Sequence, residues 1–268
     1  LGLIGAIGVL AAPGQAQQAG DPKPMPRADG KVDPAVKKEP VVDRIAFEKS
    51  GIAKADVPLI CQKYAPSMLA EIAIQAMRAG VTLVDRGESW DAASYEGRLH
   101  YRDKAGKLSL PLPRMAGPHQ ADNAALAIAM LRHQHDIAIP ESALAAAMEW
   151  TRWPARMQRL SPGPLTDLLP KGTEIWLDVG HNADGGRAIA AHFANEPRHI
   201  HLITGMLANK DPTAIIAPLK DKLASITVLP VPGHEHHGVK AFGQGAVASP
   251  DIATALQSLD VDPTAQII

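Results

Sequence analysis

The chain has 268 residues, 46% of them apolar, which is enough for one large domain or two ordinary ones; aromatic residues make up only 4%, so the core must be mainly aliphatic. Its 27 basic and 28 acidic residues leave a formal net charge of −1, which gives no electrostatic basis for binding nucleic acid or an anionic membrane. The single cysteine, Cys61, excludes an internal disulfide and a cysteine-rich zinc site, so a reducing cytoplasm is the expected compartment.

Residues 1–44 are predicted to be an irregular, truncated segment. Residues 1–12 are small and apolar like the core of a signal peptide, but they lack a preceding basic region and are shorter than the about 20 residues that span a bilayer. We expect them to be the cut end of a longer chain; a strand and turn of a larger domain is the alternative. Residues 13–40, rich in Pro, Lys, Asp and Gly, are predicted to be a linker.

Residues 45–150 alternate between helical and extended patterns, which is typical of an α/β unit. The first four predicted elements are a helix beginning at residue 43, a strand at 57–62, a helix at 67–79 and a strand at 81–84. The later ones are a β-hairpin formed by 95–101 and 107–112, and helices at 123–133 and 140–150.

A second domain is predicted from residue 151 to residue 268. Short apolar runs alternate in it with longer amphipathic segments, which indicates a Rossmann-like parallel sheet with helices on both faces. The predicted strands are 175–178, 199–204, 225–229 and 265–268, and the predicted helices are 185–193, 212–223 and 250–259.

The stretch Ile-Trp-Leu-Asp-Val-Gly-His-Asn at 175–182 is predicted to be the main functional element of this domain. It indicates a buried strand followed by a tight turn, and polar groups at the carboxyl end of such a strand lie where open α/β sheets bind ligands. Helix capping is the alternative interpretation. Capping explains Asn182 or Asp184, but it explains less well why Asp178 and His181 stand together.

The sequence contains neither a Gly-x-x-x-x-Gly-Lys-Ser/Thr phosphate loop nor a Gly-x-Gly-x-x-Gly turn after a strand. Five separated segments nevertheless resemble, in order, those of the folylpolyglutamate synthase/dihydrofolate synthase family of muramyl-ligase-like, ATP-dependent ligases. They are Ile-Ala-Phe-Glu-Lys-Ser-Gly-Ile (45–52), Gly-Pro-His-Gln-Ala-Asp-Asn-Ala-Ala (117–125), Trp-Pro-Ala-Arg (153–156), Leu-Asp-Val-Gly-His-Asn (177–182) and Gly-Met-Leu-Ala-Asn-Lys-Asp (205–211).

This resemblance implies the remnant of a central P-loop-type α/β domain followed by a C-terminal Rossmann-like domain. It implies a cytoplasmic, monomeric ligase that uses ATP and Mg²⁺ to join L-glutamate to a folate or dihydropteroate carboxylate through an acyl phosphate. The family's phosphate loop, and an Asp-His segment before residue 45, have no counterpart in this sequence. We therefore expect the chain to be inactive alone.

The resemblance assigns three candidate residues to the C-terminal domain. Arg156 is expected to clamp the ATP phosphates, Asp178 to accept hydrogen bonds from the ribose hydroxyls, and His181 to contact the nucleotide site near the incoming amino acid. The family's Trp-Pro-Gly-Arg form has alanine at position 155 here. The alternatives are a surface arginine, a helix-capping aspartate and a loop histidine without a ligand.

Two further candidates lie in the central domain. Asn123 resembles the family's adenine-contacting asparagine, since an amide both donates to and accepts from a base edge, with a helix N-cap as the alternative. Lys49 resembles a lysine that the family carries as a carbamate supporting a Mg²⁺ site. Its alternative is a solvated lysine stabilised by the helix dipole.

The segment 205–211 is predicted to shape the wall of the cleft, with Lys210 as a charge contact. Three nearby histidines have no regular metal-ligand spacing and are better interpreted as part of a polar loop near the amino-acid pocket. They are His234, His236 and His237.

Three other functions stay open from the sequence. One is a fragment of a muramyl-peptide ligase, although the segments at 45–52 and 117–125 favour the folate branch. Another is a nucleotide- or partner-binding module that no longer catalyses a reaction. The last is a fragment without function.

Overall fold

The computed structural model of the chain describes residues 8–9, 41–196 and 199–268. The contacts divide these residues into two compact units. The first unit contains the described residues up to Leu112 together with Ala121–Met148, and the second contains Pro113–Gln120 together with Glu149–Ile268. The predicted domain ranges differ from these units at residues 113–120 and 149–150. The predicted linker at 13–40 lies outside the described residues.

A small sheet with two helices opens the first unit. Strand β1 (Gly8–Val9) runs antiparallel to β2 (Leu59–Cys61), and β2 runs parallel to β3 (Leu83–Asp85). The flanking helices are α1 (Val41–Ser50) and α2 (Pro66–Ala79). Helix α2 ends at Gly80, whose φ of 68° gives the left-handed cap that glycine adopts without strain.

A three-stranded antiparallel meander follows, formed by β4 (Trp90–Tyr95), β5 (Arg98–Asp103) and β6 (Gly106–Pro111). The predicted hairpin is present as β5 and β6, but its first strand begins at Arg98 rather than at residue 95. Glu96 and Gly97 have φ values of 49° and 71°, so a two-residue turn with both φ values positive separates β4 from β5. The pattern alone concealed this turn because glutamate is unusual at its first position.

Helices α3 (His119–Arg132) and α4 (Glu141–Trp150) complete this part of the chain. Buried side chains of the meander pack against Ala125, Leu126 and Ile128 of α3 and against Leu144 of α4. Because α3 begins at His119, Asn123 stands within the helix, and the alternative that it caps the N-terminus is wrong.

The second unit is built on a six-stranded sheet with the spatial order β11, β10, β9, β12, β8, β7. Its strands are β7 (Gln158–Arg159), β8 (Glu174–Leu177), β9 (Ile200–Thr204), β10 (Leu223–Val228), β11 (Val247–Ala248) and β12 (Gln266–Ile267). All neighbours are parallel except β7 and β8. The last strand in sequence thus lies between β8 and β9.

Helices cover both faces of this sheet. Helices α5 (Ala183–His192) and α6 (Thr213–Leu219) supply one apolar cluster, with Ile189 and Ile215 among its buried side chains. Helix α7 (Ile252–Ser258) and the short 3₁₀ helix Thr166–Leu168 pack on the other face. A second 3₁₀ helix spans Val239–Phe242. The predicted α/β fold class is confirmed.

Helix α6 is shorter than predicted. It ends at Leu219 rather than at residue 223, because Leu223 already pairs with Ile200 as the first residue of β10. Within the described part of the chain, no helix is both long and apolar enough to span a bilayer.

Candidate functional site

The carboxyl ends of β8, β9 and β10 lie at the same edge of the second unit's sheet, because these strands are parallel through β12. Three of the loops that the sequence singled out leave from this edge, at residues 178–182, 205–211 and 229–238. The edge is where open α/β sheets bind ligands, so it is the candidate site of this unit.

Asp178 follows the tip of β8 and uses both carboxylate oxygens to hold backbone. Its Oδ2 accepts a hydrogen bond from the N–H of Met157 at 2.8 Å, and its Oδ1 accepts one from the N–H of Gly180 at 2.6 Å. Each carboxylate oxygen has two lone pairs, so both retain capacity for a further donor such as a hydroxyl. Asp178 is half-buried and accessible to such a donor.

The loop that carries Arg156 is fastened to the strand tip on both sides of the arginine. The N–H of Val179 donates to the carbonyl of Ala155 at 3.1 Å, and Met157 is held by Asp178. Ala155 and Met157 have φ values of 55° and 44°, a left-handed backbone that is strained for residues with a Cβ. Arg156, between these two residues, is exposed, and its backbone lies next to the tip of β8.

The turn after Asp178 leads into α5 through a close approach of backbone. Asn182 caps the helix, with its Oδ1 accepting from the N–H of Gly185 at 2.9 Å. A Cβ placed on Gly185 would lie 2.9 Å from the Cα of Gly180, so neither position has room for a side chain. His181, at the top of the turn, is exposed, with its Nδ1 3.0 Å from the carbonyl oxygen of Val179.

The loops after β9 and β10 bind each other. The N–H of Ala208 donates to the carbonyl of Glu235 at 3.0 Å, and the N–H of His237 donates to the carbonyl of Met206 at 2.9 Å. The ring Nε2 of His237 lies 2.6 Å from the carbonyl oxygen of Lys210, so the imidazole donates there. His237 therefore serves as a brace between the two loops.

Two candidates from the sequence lie in the first unit. Lys49 is exposed in the last turn of α1, and Asn123 is exposed in α3. Among the described residues no group of three or more His, Cys, Asp or Glu side chains is arranged to hold a metal ion. The residues that were predicted to bind ligand thus form two sets, Arg156, Asp178 and His181 in one unit and Lys49 and Asn123 in the other.

Sequence reasoning missed Arg86, which follows β3. Its Nη1 donates to Asp122 Oδ1 at 2.7 Å and to Gln62 Oε1 at 2.9 Å, and its Nη2 donates to the carbonyl of Ala92 at 2.6 Å. The Arg86 side chain is only 18% exposed. The one signal available was an arginine directly after an apolar strand, which by itself does not identify partners 24 and 36 positions away.

Comparison with known proteins gave relatives but no matching family model. The chain is 28% identical over 204 residues to a folylpolyglutamate synthase of Lacticaseibacillus casei, an alignment that covers 72% of this chain and 45% of that protein. The chain thus spans about half the length of that curated relative.

Solved structures share the fold. E. coli FolC in complex with DHPP and ADP superposes with a TM-score of 0.68 at 24% identity, covering 84% of this chain and 52% of that one. A bifunctional folylpolyglutamate synthase/dihydrofolate synthase with Mn, AMPPNP and L-glutamate bound gives a TM-score of 0.69 at 22% identity. The superposition covers 84% of this chain and 53% of that one. Similarity at this level of identity establishes a common fold.

Proposed function

We propose that this chain is a member of the folylpolyglutamate synthase/dihydrofolate synthase family and part of a cytoplasmic ATP-dependent ligase that joins L-glutamate to a folate or dihydropteroate carboxylate. One observation carries the proposal: the Arg156 loop is fastened to the Asp178 carboxylate at the carboxyl edge of a parallel sheet. A cation and a hydrogen-bond acceptor are thereby held together where such sheets bind nucleotides.

The proposed reaction has two steps. A carboxylate oxygen of the acceptor forms a bond to the γ-phosphorus of ATP as the bond to the ADP oxygen breaks, which gives an acyl phosphate and ADP. The amino nitrogen of glutamate then attacks the acyl carbon, the bond from that carbon to the phosphate oxygen breaks, and the nitrogen releases a proton as the amide forms and inorganic phosphate leaves. Charge is concentrated on the transferred phosphoryl group, so catalysis depends on positioning and on cationic donors.

Arg156 is assigned to the phosphates, because an exposed guanidinium is always charged and donates to phosphate oxygens in a planar fork. The hydrogen bonds on both sides of the arginine hold the backbone of the loop, so little backbone entropy is lost when the arginine binds. Asp178 is assigned to the ribose hydroxyls, which its remaining lone pairs can accept. His181, exposed on the turn beside it, is assigned to the region where the amino acid enters.

In the first unit we assign Asn123 to the adenine and Lys49 to support of the metal ion. The proposed ion is Mg²⁺, and a solved structure of similar fold contains Mn, which is also a divalent cation. The described residues of this chain do not themselves compose a metal site, since no three potential ligands lie together. The chemistry assigned above therefore rests on the cationic and polar groups of the chain, and the metal role of Lys49 stays a prediction.

The decisive experiment is calorimetry of the purified chain with ATP and Mg²⁺, comparing the wild type with Arg156→Ala and Asp178→Ala. We expect measurable binding that each substitution weakens about tenfold or more, as expected when a charge-assisted hydrogen bond is lost. Arg152→Ala, an exposed arginine four positions earlier, is the control and should leave the affinity unchanged. Binding that neither substitution alters would contradict the assigned site.

A ligation assay with L-glutamate and either pteroate or folate complements the binding experiment. We expect no turnover by this chain alone, because no Gly-x-x-x-x-Gly-Lys-Ser/Thr segment is present in its sequence to hold the triphosphate. Nucleotide binding without turnover would favour a nucleotide-binding role for the isolated chain. Turnover would show that the residues of this chain suffice to catalyse the ligation.

A further inference from the structure

We propose that Gln62 and Arg86 are positioning residues that hold the first turns of α3 in place and thereby set the preference of the nucleotide site for adenine. The inference rests on the proposed function, in which Asn123 contacts the base. None of the five family-like segments in the sequence includes Gln62 or Arg86.

Asp122, the residue before Asn123, is held at two points. Gln62 Nε2 donates to the backbone carbonyl of Asp122 at 2.6 Å, and Arg86 Nη1 donates to its Oδ1 at 2.7 Å. Arg86 also donates to Gln62 Oε1 at 2.9 Å, so the two residues that hold Asp122 are bound to each other. The side chains of Gln62 and Arg86, with the backbone carbonyl and the carboxylate of Asp122, form a closed set of hydrogen bonds, and the bond between Arg86 and the carboxylate is also an ion pair.

The two holding residues are themselves immobilised. Gln62 directly follows β2 and is 1% exposed. The guanidinium of Arg86 donates from Nη2 to the carbonyl of Ala92 at 2.6 Å and from Nε to Asp91 Oδ1 at 3.3 Å, and it lies 5.6 Å from the centre of the Trp90 ring. Only an arginine can satisfy acceptors in so many directions from one planar group.

The position of Asn123 follows from these contacts. It is the next residue along α3, it is exposed, and the carbonyl that Gln62 holds belongs to the peptide bond joining Asp122 to Asn123. Adenine presents an amino donor next to a ring-nitrogen acceptor, and a side-chain amide matches that pair only at one orientation. A shift of the helix start by about 1 Å would weaken this match while leaving contacts to the phosphates intact.

The test compares Arg86→Gln and Gln62→Met with Arg102→Gln in the full chain. Arg102 is the matched control, because its Nη2 also binds Asp91, at 3.5 Å, yet its side chain is 67% exposed and does not bind α3. Calorimetry with ATP and with GTP gives the ratio of the two dissociation constants. Hydrogen exchange measured by mass spectrometry reports the protection of residues 121–126.

We expect both test variants to lower the preference for ATP over GTP by about two- to tenfold, the range for one misplaced hydrogen bond, and to speed exchange in residues 121–126. The control variant should change neither quantity. If Gln62 and Arg86 only stabilised the fold, their substitution would lower thermal stability without altering the ratio of the affinities for ATP and GTP.

An unchanged ratio in a folded Arg86→Gln protein would overturn the inference. Should Arg86→Gln not fold, Gln62→Met decides in the same way, because it removes the bond to the carbonyl and leaves the ion pair of Asp122. If the wild type binds neither nucleotide, the proposed function fails and the base preference fails with it. Hydrogen exchange in residues 121–126 then tests only whether Arg86 holds the first turns of α3. Equal exchange rates in Arg86→Gln and the wild type would overturn this part of the proposal as well.

Discussion

The carboxylate of Asp178 binds the backbone N–H of Met157 at 2.8 Å, across 21 positions of sequence. This contact joins the residue that follows the Trp-Pro-Ala-Arg segment to the segment that begins at Leu177. It gives Asp178 a structural role in addition to its proposed contact with the ribose. A change at Asp178 is therefore expected to affect both folding and binding.

The first prediction separates these two effects. Asp178→Ala leaves the N–H groups of Met157 and Gly180 without their acceptor and should lower the free energy of unfolding by about 2 kcal/mol, the size typical of hydrogen bonds to a charged group. Urea unfolding measures this. Asp221→Asn, at an exposed aspartate, is the control and should change stability by less than about 0.5 kcal/mol. An Asp178→Ala protein as stable as the wild type would contradict the proposed fastening of the Arg156 loop.

The second prediction concerns Arg156 itself. Because this side chain is exposed, Arg156→Ala should leave the free energy of unfolding within about 0.5 kcal/mol of the wild type. ATP affinity should nevertheless fall about tenfold or more. Arg156→Lys should recover only part of the affinity, since an ammonium cannot donate in a fork. Equal affinity for lysine and arginine at this position would argue for a simple charge effect.

The strained backbone at Ala155 provides a third prediction. Its φ of 55° costs a residue with a Cβ about 1–2 kcal/mol, whereas glycine adopts it freely but loses about 0.4–1 kcal/mol through unfolded-state entropy. Ala155→Gly should therefore stabilise the chain by about 0.5–1 kcal/mol, measured by thermal or urea unfolding. Ala155→Val should destabilise it. Loss of stability in the glycine variant would show that the left-handed conformation is not adopted in solution.

The fourth prediction tests the packing of α5 on α6. A Cβ on Gly186 would clash with the carbonyl oxygen of Ala214, which is backbone and cannot move aside locally. Gly186→Ala should destabilise the chain by about 2 kcal/mol, as overpacking in a close-packed interior does. The control is Gly238→Ala, where an added Cβ meets nothing within 4 Å and φ is −77°. Equal effects at the two glycines would argue against the close approach of the helices.

The fifth prediction is a pH dependence at the ion pair of Asp103 and Arg132. Arg132 donates to both carboxylate oxygens, at 2.7 and 2.8 Å, and the Asp103 side chain is 2% exposed. Burial alone would raise the pKa of Asp103, but the hydrogen bonds and the charge of Arg132 outweigh it and lower the pKa below its ordinary value.

A carboxyl group whose pKa is lowered by folding stabilises the fold above its unfolded pKa of about 3.9, and the contribution disappears as the pH falls through the folded pKa. Asp103→Asn should cost about 2–3 kcal/mol at pH 6, less than a fully buried pair because Arg132 is partly exposed. The difference from the wild type should shrink below about pH 4. Chemical unfolding from pH 2 to pH 7 measures the free energy of unfolding of the wild type and of Asp103→Asn. If the difference between the two proteins does not vary with pH, the ion pair is not its cause.

Some features of the candidate site could be predicted because they depend on neighbours along the chain. The strand that ends at Leu177, the turn after it and the helix that begins at Ala183 follow from a short apolar run, a Val-Gly-His-Asn turn and an amphipathic segment. The cap at Asn182 depends on a residue three positions away. The first strand of the predicted hairpin was placed three residues too early, because the local rule for turns favours Asn-Gly or Asp-Gly, whereas the turn before Arg98 is Glu-Gly.

The sequence by itself thus determined the α/β class, the order of most elements and the segments that reach the carboxyl edge of the sheet. Periodicity and capping act over a few residues, so one sequence suffices to predict them. Only the tertiary structure decided that β12 lies between β8 and β9, that Asp178 holds Met157, and that Arg86 binds Gln62 and Asp122. These contacts join residues 21 to 92 positions apart, and their partners are selected by the packing of whole elements rather than by any pattern in the neighbouring sequence.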